Sequence, residues 1–262
     1  MAPILAWLLV LGQTPEVPAP ARVTGRVNWR GALPQVQPFL APPSPLVGQP
    51  DPALRPWPNP HAPSIAPDGG LGGILVWAVE PAGSSRTVHQ PPVRVLVENG
   101  QILVEQGGGV VPVGLLNPGD AISVESRQAA FFTLRGRGAA FFGLPLVRAN
   151  QTVRRTLDKP GWVELSSGTG QYWARGWLWV GAPVHTTVTD ASGQFELVNL
   201  KPGRHTLVAR LPDWQLADRQ RDPETGELLR AVYKEPGLQC VEVNLQSGQA
   251  GQCMLVFPAN EK

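Results

Sequence analysis

The chain has 262 residues, enough for two modest domains that each bury a core of their own. Only 16% of the residues are charged, and glycine and proline number 29 each, a composition that suits short strands joined by turns and excludes a mainly helical protein. A net charge of +2 is too small to point to nucleic acid or to an anionic membrane surface.

The chain opens with an apolar run over residues 3–12, followed by Pro15, Pro18 and Pro20. The run is too short to span a bilayer and has the length of a signal-peptide h-region. We therefore expect residues 1–12 to be a signal peptide, the protein to be secreted or periplasmic at the cell envelope, and the mature chain to lack a transmembrane span. No Lys or Arg precedes the run, and a buried first strand is the alternative, which the prolines disfavour. The segment 23–34 (VTGRVNWRGALP) reads as a strand with polar alternation and an Arg-Gly turn. Residues 35–67 are so rich in proline that a central strand is excluded, and a long surface loop is predicted. Regular structure resumes with the strand ILVWAVE.

From Val93 the texture becomes a series of short strands: VRVLVEN, ILVEQ, VVPVGLL, AISVES, AAFFTLRG, a segment around VRRTL, WVELSS and GWLWVG. Turn residues separate them, such as the run from Asn117 to Asp120. Such spacing predicts a sandwich of about 90 residues. The order of early paired strands, an N-x-G-D turn, a Phe-rich middle and a closing hairpin after Pro160 and Gly161 resembles a small cupredoxin. Further on, TDASGQFELVNLKPGRHTLVAR (189–210) predicts two strands. Asp190 and Gly193 turn the chain into the first, and Pro202 and Gly203 turn it into the second. This pattern resembles the carboxypeptidase regulatory-like (transthyretin-like) family, an Ig-like β-sandwich that serves as an accessory and binding fold.

The expected fold is therefore all-β with two sandwiches. Residues 22–90 and 182–259 would form a discontinuous regulatory-like sandwich, and 93–181 a cupredoxin-like domain inserted into it. The competing order is sequential, with the first strands belonging to the cupredoxin-like unit.

Cupredoxins hold copper with two His, a Cys and a weak Met, three of them on the loop between the last two strands. Here the resemblance places the ligand positions at Phe132, Gly168, Gln171 and Ala174, and no Cys, His or Met occurs anywhere in 93–181. A soft copper site cannot be built from these side chains. The expected unit is copper-free, with no metal or other cofactor.

Trp173, Trp177 and Trp179 share parity along one strand and are expected to line the sandwich core. Tyr172 has the opposite parity and is expected to be exposed. With Trp173, Arg175, Arg135 and Arg137 it makes the candidate binding surface near the vacated copper end. His89 and His185 bracket the insertion and could be neighbours, although two ligands are too few for structural zinc. Cys240 and Cys253 could bridge a C-terminal hairpin, but their parity differs, so a disulfide would need a β-bulge. The acidic and basic residues of 211–230 predict a solvated hairpin rather than an EF-hand. No G-x-S-x-G, H-E-x-x-H or Walker loop is present. We expect a non-enzymatic protein that contacts polysaccharide or another envelope protein. A copper carrier or electron shuttle is the alternative.

Overall fold

The computed structural model describes residues 19–42, 53–79, 90–181, 185–221, 223–224, 226 and 228–258. The proposed signal peptide and His89 lie outside them. Among the described residues there is no α-helix, and no helix long and apolar enough to cross a membrane. The fold is all-β, as the sequence predicts.

In chain order the strands begin with β1 (Ala21–Arg30), β2 (Phe39–Ala41), β3 (Arg55–Trp57), β4 (Ser64–Ile65), β5 (Leu71–Gly72) and β6 (Leu75–Val79). A central block follows: β7 (Arg94–Glu98), β8 (Gln101–Gln106), β9 (Gly109–Val110), β10 (Gly114–Leu116), β11 (Ala121–Ser126), β12 (Phe132–Gly138), β13 (Phe142–Leu146), β14 (Thr152–Thr156), β15 (Gly161–Ser167) and β16 (Arg175–Val180). The last are β17 (Thr186–Val188), β18 (Gln194–Leu200), β19 (Gly203–Leu211), β20 (Leu216–Arg221), β21 (Leu228–Tyr233), β22 (Gly237–Leu245) and β23 (Ala250–Pro258).

Among the described residues, the central block pairs only within itself. It forms two five-stranded sheets in the orders β10-β16-β15-β12-β13 and β14-β11-β7-β8-β9. The strands on either side of it pair with one another, as β18-β1-β23 and β17-β6-β19-β22. β6 and β17, which flank the block in sequence, lie side by side, with Trp77 opposite Thr186. Each pair of sheets encloses its own core. The central core gathers Val95, Val97, Val124, Leu134, Leu165 and Leu178, and the flanking core gathers Val23, Val27, Val76, Leu207 and Leu255. Each fully buried aliphatic side chain of this kind contributes roughly 1.5–3 kcal/mol over an exposed one.

The turns are built as their residues dictate. The Asp190 carboxylate accepts hydrogen bonds from the backbone N–H of Ser192 and of Gln194, both at 2.9 Å, while Gly193 takes φ 81°. In the other turn the Asp120 carboxylate accepts the Asn117 backbone N–H at 2.8 Å, with Gly119 at φ 91°. Edge strands are blunted: β13 carries Pro145, and β14 exposes Arg154 and Arg155.

The proline-rich segment departs from the expected plain loop. Its described parts form the β2–β3 pair and contribute β4, and Ala41 enters the central core, with Phe39 and Trp57 packed against it. The β20–β21 hairpin is likewise solvated on one side only, since Ala231, Leu216 and Tyr233 also pack onto the central core.

The two cysteines are free. Cys240 is exposed on β22, opposite Val208, whereas Cys253 on β23 packs half-buried against the flanking core. The pairings of β22 and β23 keep a regular register without the bulge a bridge would need. Burial pushes the Cys253 thiol up to about 11, so it stays protonated and unreactive.

Candidate functional site

Among the described residues, three places concentrate aromatic and polar side chains: the end of the central sandwich where the resemblance puts the copper ligands (the ligand end), a groove beside it, and a cleft between the two sandwiches.

The ligand end is closed. Tyr172, expected to be exposed, is only 9% accessible, and Trp173 only 4%. The reason is the proline-rich segment. Trp57 stacks on Trp173 with centroids 4.6 Å apart and planes 12° apart, and Phe39 meets Tyr172 edge-on at 5.2 Å. The Trp173 indole N–H donates to the Gly100 carbonyl at 3.1 Å, and the Trp57 indole N–H to that of Ala41 at the same distance. Tyr172 hydroxyl donates to the Leu40 carbonyl at 3.3 Å, and burial raises its pKa.

Arg175 is also buried rather than part of a surface. Its Nε lies 3.1 Å from the Glu164 carboxylate, and its Nη2 donates to the Ala231 carbonyl at 3.1 Å, tying β16 to β15 and to the β20–β21 hairpin. Burial lowers its pKa and Glu164 opposes that shift. Of the expected surface residues only Arg135 is exposed, with Arg137 half-buried. His185 is buried, and its proposed neighbour His89 is outside the described residues.

The four positions that the resemblance assigns to copper ligands do not fit copper. Phe132 is fully buried and Ala174 nearly so, and neither offers a donor. A side chain at Gly168 would begin 2.7 Å from the Arg135 Nε and 3.1 Å from the Thr133 Cβ. Gln171 is buried with its carbonyl oxygen already accepting from Ser167 Oγ at 2.6 Å and Thr169 Oγ1 at 2.8 Å. No group of three or more His, Cys, Asp or Glu suited to a metal ion occurs among the described residues.

The groove, about 1110 Å³, runs between residues 32–39 and 214–219. Trp29 and Trp214 form one wall, tilted at 59° with centroids 5.8 Å apart. Gln35, Gln37, Gln215, Asp218 and Arg219 add amides and charges, and Asn59 braces the base by donating to the Trp214 carbonyl at 3.0 Å.

The cleft, about 420 Å³, lies where the two sandwiches meet. On β16, Trp177 and Trp179 are half-buried and face away from the central core, correcting the expectation that all three tryptophans of that row are core. Trp179 stacks on Trp77 of β6 at 5.4 Å. Arg210 of β19 lies over the Trp162 ring, with Cζ 3.9 Å from its centroid. His61 stacks on Tyr233 at 3.6 Å, meets the edge of Trp177, and donates through Nδ1 to the Asp213 carbonyl at 2.8 Å. Burial lowers the His61 pKa to about 3, so the ring is neutral.

Trp57, Trp214, His61 and Arg210 were not singled out as site residues by the sequence. The available signal was the presence of costly tryptophans in proline-rich or polar segments, which have no core of their own to bury them.

No protein-family model matches the chain, and no curated protein matches it. Among solved structures it is similar to an oxidized mutant of amicyanin (17% identity, TM-score 0.28), covering 40% of this chain and 98% of that one. It is also similar to a copper-containing nitrite reductase from Thermus scotoductus SA-01 (14%, TM-score 0.29; 39% of this chain, 25% of that one). A further likeness is to a purple cupredoxin from Nitrosopumilus maritimus (11%, TM-score 0.27; 34% and 98%). Likenesses of this size carry neither metal nor activity to this chain.

Proposed function

We propose that the protein is a non-catalytic binding protein of the cell envelope or its exterior, and that it holds polysaccharide in the groove between residues 32–39 and 214–219. The flanking sandwich would be of the carboxypeptidase regulatory-like type and would serve as scaffold. One observation carries the reading: an open groove of about 1110 Å³ in which half-buried Trp214, backed by Trp29 of the flanking core, stands beside exposed Gln35, Gln37, Asp218 and Arg219. Sugar rings present an apolar C–H face and a rim of hydroxyls. An indole wall takes the first, and amides and carboxylates take the second. A volume of about 1110 Å³ lies above the usual range of small-molecule pockets and suits a longer ligand.

Titration of the protein with defined neutral and acidic oligosaccharides by calorimetry tests this. Binding to one class, weakened at least about tenfold in Trp214→Ala, is expected, since one well-packed aromatic contact is worth over 1 kcal/mol. A panel with no binder, or a variant that binds unchanged, sinks the proposal. The copper-carrier alternative is disfavoured by the donor set at Phe132, Gly168, Gln171 and Ala174. A Cu(I) and Cu(II) titration with one bound equivalent would restore it.

A further inference from the structure

Arg210 stands on the inter-sandwich face of β19, which also presents Val208, while Leu207, Ala209 and Leu211 turn into the flanking core. Its guanidinium rests on Trp162, and among the described residues no hydrogen bond or ion pair engages it. Glu235 and Glu164 act on it electrostatically without forming an ion pair. Burial lowers its pKa to about 10, which leaves it charged at neutral pH. A half-buried guanidinium held flat on an indole keeps its edge N–H groups free, and that edge matches a carboxylate.

The rest of the cleft is mostly apolar: Pro63, Ile74, Pro112 and Val113 line it with Trp177, while Ser64, Thr189 and Asp190 add polar groups, the Asp190 carboxylate being engaged by the Ser192 and Gln194 backbone N–H groups. His61 lines it too, and its Nε2 is buried without a hydrogen-bond partner. Because Nδ1 donates to the Asp213 carbonyl, Nε2 carries the lone pair inside the packing, and the cleft itself offers the Arg210 cation and an aromatic wall. A volume of about 420 Å³ is within the range of small-molecule pockets.

We propose that this cleft is a second binding site, separate from the groove, that takes a small aromatic carboxylate: the planar body lies among Trp177 and the prolines, and the carboxylate pairs with Arg210. An unpaired guanidinium borders an apolar, aromatic-walled space, and a ligand of this class meets the first while filling the second.

The test is calorimetric titration of the full chain with indole-3-acetate and with its neutral counterpart indole-3-acetamide. Indole-3-acetate should bind at least about tenfold more tightly than the amide, and Arg210→Gln should erase that difference, with Arg210→Lys between them. A second variant, Ala62→Trp, places bulk at an exposed position of the cleft lining and leaves the cores untouched. It should abolish binding of indole-3-acetate. Equal affinity for acid and amide, no binding of the acid, or unchanged binding in Ala62→Trp overturns the assignment. Arg210→Gln with an undiminished preference for the acid overturns it as well.

Discussion

The closed end of the central sandwich, built on Tyr172 and Trp173 in the turn between β15 and β16, and the cleft, built on Trp162 of β15 and Trp177 of β16, are both made of aromatic side chains, yet one is closed and the other open. At the ligand end, Trp173 and Tyr172 are met by Trp57 and Phe39, which arrive on the proline-rich segment and fill the space. In the cleft, Trp162 is met by an arginine and Trp177 by a histidine in a T-shaped contact, and about 420 Å³ remains. Aromatic density alone therefore does not separate a binding site from a packing contact. What separates them is whether another part of the same chain brings a ring of matching shape.

The largest effect expected from breaking this contrast is at the closed end. Trp173→Ala removes a nearly fully buried indole and should cost about 3–5 kcal/mol in denaturant unfolding, without creating copper affinity. Trp57→Ala removes the half-buried cover and should cost about 2 kcal/mol. It should also shift tryptophan emission to the red as Trp173 meets water, and an unshifted spectrum would show that Trp57 is not the lid.

The open side is sharpened by pH. His61 is neutral in the folded protein down to about pH 3 but takes a proton near 6.5 once unfolded. Below pH 6.5 the unfolded chain binds more protons, so the contribution of His61 is complete above that pH and is lost as pH falls toward 3. The slope is at most about 1.4 kcal/mol per pH unit. His61→Gln should reduce the stability difference between pH 7 and pH 4.5 by about 2 kcal/mol, measured by urea unfolding at the two pH values. The smallest effect concerns the free cysteines: both should react with a thiol reagent after unfolding without reductant, and reductant should shift stability by less than about 0.5 kcal/mol.

Local chemistry made much of the fold legible. Asp190 with Gly193 and Asn117 with Asp120 announce their turns, and alternation in FELVNL and RHTLVAR announces β18 and β19. Alternation tells which residues share a face of a strand, but not what lies opposite that face. Trp177 and Trp179 were expected in the core beside Trp173, whereas their side of β16 meets the other sandwich. Tyr172, which lies in the turn before β16, was expected in solvent because nothing in the neighbouring sequence indicates that Phe39, 133 positions earlier, will cover it. Long-range docking of a proline-rich segment has no period to read.

The parallel pairing of β1 with β23 has a mechanical consequence. It runs in register from Arg22 opposite Ala250 to Arg30 opposite Pro258. Tension applied between Ala21 and Pro258 would pull the two strands lengthwise past each other, loading all of those backbone hydrogen bonds together instead of unzipping them singly. The clamp would therefore have to fail in shear before load passed to the strands that lie between β1 and β23 in the chain.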